Sequence, residues 1–258
     1  MFNSWDSYQR LFPLYASIMK LHDHPQFFII FGDKQLSFDR HQFYGLQTSQ
    51  ELLQQQPFCK VSQNIKTLIV VDQSHGTDGL IITSLEQAHA YKPYSCTADF
   101  IITNVPEIGL GIATADCLPI IFFDSKKNVL AVAHAGWQGT VAGIAVKVVC
   151  VMQEHFGTRL EDLQIFFGPC ATVENYEVAA DFGEKIELFP QTFIHKNNKH
   201  FFNIPLYNQL LLESIGVPKT AFIGDYCQCT IANKNFCSYR RDKNNQRQMT
   251  IAYLKNCS

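Results

Sequence analysis

A chain of 258 residues with 47% hydrophobic side chains has the length and apolar content for a large buried core. Its formal charge of -2 and pI near 6.5 give no broad basic field, which argues against general binding to a nucleic-acid backbone or an anionic membrane and leaves small-molecule chemistry. Residues 1–20 mix Asp6, Arg10 and Lys20 with aromatic and aliphatic side chains, unlike a signal peptide. The longest apolar run, residues 118–123, stops at Asp124 and is far too short for a bilayer span. Nine scattered cysteines, an odd count without an export signal, predict reduced thiols and a cytoplasmic protein.

In chain order, QFFIIFGDKQLSF (26–38) predicts a hairpin turning at Gly32 and Asp33. Six short runs rich in Ile and Val then predict strands: TLIVVDQ (67–73), LIITS (80–84), DFIITN (99–104), GIATAD (111–116), LPIIFFD (118–124) and NVLAVAHAG (128–136). The stretch 140–157 has helical length and ends at Gly157. QIFFG (164–168) predicts a strand, and VAADFGEKIELF (178–189) and IPLYNQLLLESIG (204–216) predict helices. AFIGDY (221–226) predicts a strand, RDKNNQRQ (241–248) a surface loop, and MTIAYL (249–254) a last strand. Strand runs with a few helices and no strict alternation point to an α+β fold, mixed sheet layers with flanking helices, in one domain spanning 1–258.

Three apolar runs each end in a metal-capable side chain beside a Gly or Pro: IVVDQSHG in His75, IATADCLP in Cys117 and LAVAHAGW in His134. If those strand ends share one sheet edge, two imidazoles and a thiolate converge. That set suits zinc, and three protein ligands leave the fourth position open for water, as in catalytic sites. The separations of 42 and 17 residues match no short zinc signature, so a packed thiol and hydrogen-bonded strand-end histidines stand as the alternative. The single His22-x-His24 pair reads as surface, and Cys227 and Cys229 as packing or strand-end residues.

The motifs DQSHG (72–76), TADCLPI (114–120), HAGWQGT (134–140), GPC (168–170) with YEV (176–178), and CT (229–230) with FCSYRRD (236–242) resemble, in order, those of the YfiH-like family. That family was formerly labelled multicopper polyphenol oxidase or laccase-domain protein. The resemblance covers roughly residues 68–249; residues 1–66, including SFDRHQFYGLQ (37–47), match poorly. It implies zinc on His75, Cys117 and His134, a mixed α+β layered fold of the kind called a cysteine hydrolase fold, and purine nucleoside phosphorylase with adenosine deaminase activity. The family usually carries Arg where this chain has Gln138, which removes a cation.

Deamination of adenine at C6 needs a proton carrier beside the metal, and Asp116 is the nearest acid in sequence, with a structural or orienting role as its other reading. Gln73, on the face of His75 if the strand persists, could bond a base or water, or simply be a solvated amide. For phosphate, the turn from Gly136 through Gly139 into a helix at Thr140 offers backbone N–H groups, and Arg240 and Arg241 a guanidinium fork. Trp137 and Tyr239 could stack on a purine or pack in the core. The expected partners are a purine nucleoside and phosphate, with no nucleic acid and no membrane, and the chain is expected as a monomer or weak homodimer. Zinc is the expected cofactor, with copper a competitor in vitro. Two other readings use the same residues: a metal-free amide hydrolase with a Cys117 nucleophile, acting on a cell-wall precursor, and a divergent metal-binding module.

Overall fold

The structure, a computed structural model, describes residues 20–39, 41–60, 64–186, 188–224 and 226–256; the reading of residues 1–19 lies outside them. Most of the apolar runs do form strands, and they lack polar alternation because both of their faces are covered. In chain order the elements are β1 (Lys20–Asp23), β2 (Phe27–Phe31), β3 (Ser37–Asp39), α1 (Ser49–Gln54), β4 (Thr67–Val70), β5 (Gly79–Ile82) and α2 (Leu85–Ala90). There follow β6 (Phe100–Thr103), β7 (Ile108–Thr114), β8 (Leu118–Asp124), β9 (Val129–Ala135), α3 (Trp137–Val141), α4 (Ile144–Phe156) and β10 (Leu163–Phe167). The remainder are β11 (Glu177–Val178), β12 (Phe193–Lys196), β13 (Lys199–Phe202), α5 (Ile204–Ser214), α6 (Tyr239–Asp242) and β14 (Gln246–Leu254).

The first sheet runs β1-β2-β14-β7-β4, with β3 also paired to β14; the second runs β10-β8-β9-β6-β5; a small third sheet is β11-β13-β12. The β4–β7 and β5–β6 pairs are parallel, and the other strand pairs are antiparallel. Side chains alternate along each strand into separate cores. Ile29, Ile69, Leu110 and Ile112 of the first sheet meet Ile101, Ile121, Phe123 and Val132 of the second. The far face of the second sheet, with Phe122 and Ala131, packs on Val148 and Met152 of α4 and Leu212 of α5. The far face of the first, with Ile30, Leu68 and Ile251, packs on Leu52 and Leu53 of α1. Two stacked mixed sheets with helices outside them make the anticipated α+β fold. No helix among the described residues is long and apolar enough to cross a membrane.

Five local readings are corrected. Residues 26–38 do not fold on themselves: β2 and β3 both pair with β14, whose Thr250–Leu254 half takes β2 and whose Gln246–Gln248 half takes β3. The loop reading of 241–248 ends early for the same reason. The helix expected over 140–157 starts at Trp137 and is broken at Gly143, whose φ of 82° ends α3 and opens α4. Residues 178–189 wind only as a 3-10 turn over Ala180–Lys185, because Phe182 inserts between the rings of Trp137 and Phe202 while Gly183 lies close against Phe193. The run 221–226 makes a single bridge, Phe222 to Ile165, before Gly224 turns away at φ 73°.

No atom would meet a Cβ at Gly143, so its role is one of backbone conformation alone. Gly143→Ala should lower stability by about 1–2 kcal/mol, the cost of a left-handed non-glycine residue, read from urea unfolding. An unchanged midpoint would mean that the helix break does not depend on glycine.

Candidate metal centre

The chain passes from the first sheet to the second twice in this region, between β4 and β5 and between β7 and β8. Each crossing carries a sharp turn with one residue in the left-handed region, His75 at φ 65° and Asp116 at φ 91°. His75 lies on the first crossing and Cys117 ends the second. His134 comes from β9, where register sets it opposite Pro119 of β8 and therefore beside the Cys117 turn. One candidate ligand atom from each of His75, Cys117 and His134 lies within 4.8 Å of the other two, and the two imidazole rings are 4.7 Å apart. Gly136 follows His134 because nothing larger fits: a Cβ there would sit 2.8 Å from the His75 ring and 3.2 Å from the Cys117 sulfur.

A fourth residue holds this arrangement, and the sequence reading passed over it. Asp99 is wholly buried at the head of β6. Its Oδ1 pairs with Nδ1 of His134 at 2.8 Å and accepts the His75 N–H at 3.0 Å. Its Oδ2 accepts from Ser74 Oγ at 2.9 Å, from the Ser74 N–H at 3.2 Å and from the Gly76 N–H at 2.7 Å. One carboxylate thereby fixes the loop that presents His75 and the ring of His134, whose Nε2 is left for the site. The only hint in the sequence is an acid placed directly before the apolar FIIT run.

The site is charged in spite of its burial. Burial pushes the Cys117 thiol up, but the charge and hydrogen bond of His134, with a bond from His75, outweigh it and bring the thiol down to about 6. Burial likewise opposes the His134 imidazolium, while the Cys117 thiolate and the Asp99 bond raise it to about 9. Burial also opposes the Asp99 carboxylate, and its bonds to His134, Gly76 and Ser74 hold it at about 2. Two imidazoles and a thiolate, convergent and with one ring nitrogen pinned by a carboxylate, are a donor set and surrounding that could hold a metal ion. All three line one cavity of about 470 Å³.

The other expected residues divide. Trp137, Tyr239 and Arg240 line the cavity with Gln138 and Tyr176, and the Arg240 guanidinium lies 4.6 Å over the Tyr176 ring with Nη1 donating to Glu177 O. Gln73 also lines it, but both ends of its amide pair with the backbone of Ala113, at 2.9 Å each. Asp116 is 5% exposed and accepts from Thr230 Oγ1 at 2.8 Å and from the Arg240 N–H at 2.7 Å, so it joins the Cys117 turn to α6. Three residues expected at the substrate sit elsewhere. Thr140 is fully buried inside α3, its N–H bonded to Gly136 O and its hydroxyl to Asn208. Gly139 is packed on Gly76 O, which a Cβ would approach to 2.9 Å. Arg241 donates to the carbonyls of Thr230, Ile231, Asn233 and Phe236 and to Asp242, stapling a loop. His22 is half-buried, bonded to Tyr226 and against Phe166, not a surface residue. Cys227 lies 3.5 Å from Cys170, and Cys229 accepts from Asn175.

Two measurements test this centre. In metal-free protein a lowered thiol pKa moves thiolate formation to lower pH, so alkylation of Cys117 by iodoacetamide should rise with a midpoint near pH 6; a midpoint above 8 would remove the imidazolium partner. Asp99→Asn should weaken metal affinity by about 10–100-fold in chelator competition, and full affinity in that variant would mean that β9 alone orients His134.

The family model described as multi-copper polyphenol oxidoreductase laccase matches residues 48–255. A purine nucleoside phosphorylase YfiH from Escherichia coli is 32% identical over 192 residues, 71% of this chain and 72% of that protein. A purine nucleoside phosphorylase from Bacteroides thetaiotaomicron is 31% identical over 61% of this chain, and the match spans 62% of that protein's own length. An adenosine deaminase RL5 from an unknown prokaryotic organism is 30% identical over 61% of this chain and 62% of its own. In structure, the hypothetical protein YfiH of Bacillus licheniformis aligns with a TM-score of 0.71 at 24% identity, over 91% of this chain and 99% of that one, a likeness of fold. With ordered motifs, fold and family model in agreement, the chain belongs to the YfiH-like, laccase-described family.

Proposed function

We propose that this protein is a purine nucleoside enzyme, acting as a single domain in the cytoplasm. It would phosphorolyse adenosine, inosine or methylthioadenosine and deaminate adenosine, with zinc on His75, Cys117 and His134. The observation that carries the reading is the convergence of those three side chains on a cavity that also holds aromatic rings and a guanidinium. Relatives named purine nucleoside phosphorylase and adenosine deaminase support the substrate class.

An ion held there would supply a Lewis acid that makes water more acidic near neutral pH. The chain's own residues would do the rest. A cavity of about 470 Å³ is the right scale for a small ligand, where pockets run from roughly 300 to 1,000 Å³. The rings of Trp137 and Tyr239 offer faces for the purine. Phosphorolysis breaks the C1′–N9 bond, forms a C1′–O bond to phosphate and leaves the electron pair on the base, which then takes a proton. Deamination replaces the C6–N bond by C6–O and releases ammonia. Since both oxygens of Asp116 are held by Thr230 and Arg240, we assign it to positioning Arg240 and the Cys117 turn.

One observation favours a second reading. Cys117, His134 and Asp99 form a chain of hydrogen bonds with a lowered thiol pKa, the arrangement of a cysteine nucleophile, its base and an orienting acid. It supports a metal-free amide hydrolase. The two separate cleanly: with the zinc reading, metal-loaded protein releases inosine, hypoxanthine or adenine from adenosine or inosine, chelator abolishes turnover and zinc restores it. Turnover that survives chelator but is lost on alkylation would transfer the case to the hydrolase, and metal-loaded protein inert on every purine nucleoside would end the nucleoside reading.

A further inference from the structure

A nucleoside is neutral, so nothing in it calls for cations; phosphate does. The turn expected to cradle it is closed, since the Thr140 N–H is bonded within α3, Gly139 is packed on Gly76 and Arg241 is occupied by carbonyls and Asp242. Apart from the candidate ligand histidines, the cationic side chains that line the cavity are Arg240 and Arg247. They flank one tight turn, in which Lys243 has φ 51° and Asn245 also lines the cavity.

We propose that Arg240 and Arg247, with Asn245 and the nearby Lys243, form the seat for inorganic phosphate at the α6 side of the cavity. The inference rests on the purine nucleoside reading and names the anion site within it.

The two guanidiniums are anchored in the same way. Arg240 Nη1 donates to Glu177 O at 2.6 Å, and Arg247 Nη1 to Gln246 O at 2.9 Å and Asn244 O at 3.2 Å. A carbonyl anchor fixes the direction in which a guanidinium points. Each also lies near a tyrosine face, Arg240 at 4.6 Å from Tyr176 and Arg247 at 5.6 Å from Tyr239, while Lys243 approaches the same Tyr239 ring at 5.4 Å. The acid of this turn, Asp242, is held by Arg241 at 2.7 Å. Lys243 and Arg247 therefore both approach Tyr239, and Arg240 follows it in the chain, on a protein whose formal net charge is -2, a local positive field suited to an oxyanion. Arg247 is fixed from outside as well, opposite Phe38 in the β14–β3 pair. The seat is tied to the metal end through Asp116, whose Oδ2 accepts the Arg240 N–H and whose neighbour is Cys117. This geometry replaces the Arg240–Arg241 fork by Arg240 with Arg247, and it puts a positive group in a cavity where Gln138 stands without charge.

The test uses the full-length, metal-loaded protein and the variants Arg247→Ala, Arg247→Lys and Lys243→Ala, with metal content and thermal midpoint checked for each. In phosphorolysis, Arg247→Ala should raise KM for phosphate tenfold or more with KM for the nucleoside moving less than threefold. Arg247→Lys should recover part of the loss, and Lys243→Ala should give a smaller rise of the same kind. Equal changes in both KM values, or none, would overturn the assignment. Should the wild type turn over no nucleoside, the purine reading falls but the seat is still read directly by calorimetric titration with inorganic phosphate: binding by wild type that is lost in Arg247→Ala supports it, and wild type without binding, or equal binding by both, overturns it.

Discussion

The buried carboxylate of Asp99 is the constraint on which the site depends. Left alone in the interior it would be costly, because an ion removed from water loses several kcal/mol of hydration. It is tolerated because every nearby donor turns toward it: the backbone of Ser74, His75 and Gly76, the Ser74 hydroxyl and the His134 ring. Those bonds do more than satisfy one residue. They force the β4–β5 crossing into the shape that presents His75 and settle which nitrogen of His134 faces Cys117. Strand pairing fixes the remaining member, since the β8–β9 register sets Leu118 against Ala135 and so brings Cys117 next to Gly136.

The location follows from topology. Two sheets stacked face to face leave a seam where the chain steps from one to the other, and backbone at such a step cannot keep its ladder bonds. Polar side chains and tight turns collect there as a result. The left-handed conformations of His75 and Asp116, each unfavourable for a residue with a Cβ by roughly 1–3 kcal/mol, sit at the two steps and next to the candidate ligands. The surrounding apolar layers, with Ile101, Ile121 and Val132 at zero exposure, are what hold those turns in place.

The layers were legible in the sequence because strands covered on both sides leave long apolar runs, and β8 and β9 fell close to where their residues predict. The convergence of His75, Cys117 and His134 was legible for a related reason, as each run ended in a metal-capable side chain. What could not be read depended on partners distant in sequence. β14 takes both β2 and β3, so a local hairpin at Gly32 competes with pairing more than 200 residues away and loses. Arg241 and Thr140 carry the same chemistry as Arg240 and any exposed threonine; only the carbonyl cage around one and Asn208 beside the other remove them from the cavity. Asp99 has no motif of its own, since its importance comes from five donors that converge only after β6 and β9 have paired. Arg247 was masked by its setting in a polar run that reads as a loop, although it opens the last strand.

That last strand has a consequence for how the chain is made. β14 lies in the middle of the first sheet, bonded to β2, β3 and β7, yet it leaves the ribosome after every other described strand. Until then the nascent chain holds β2 and β7 with unpaired edges carrying Phe27, Ile29, Leu110 and Ile112, which are completely buried in the finished protein. Open apolar edges of that kind invite pairing with other chains. The second sheet can assemble while the first still waits for β14, so a polypeptide cut short before residue 246 would be sticky.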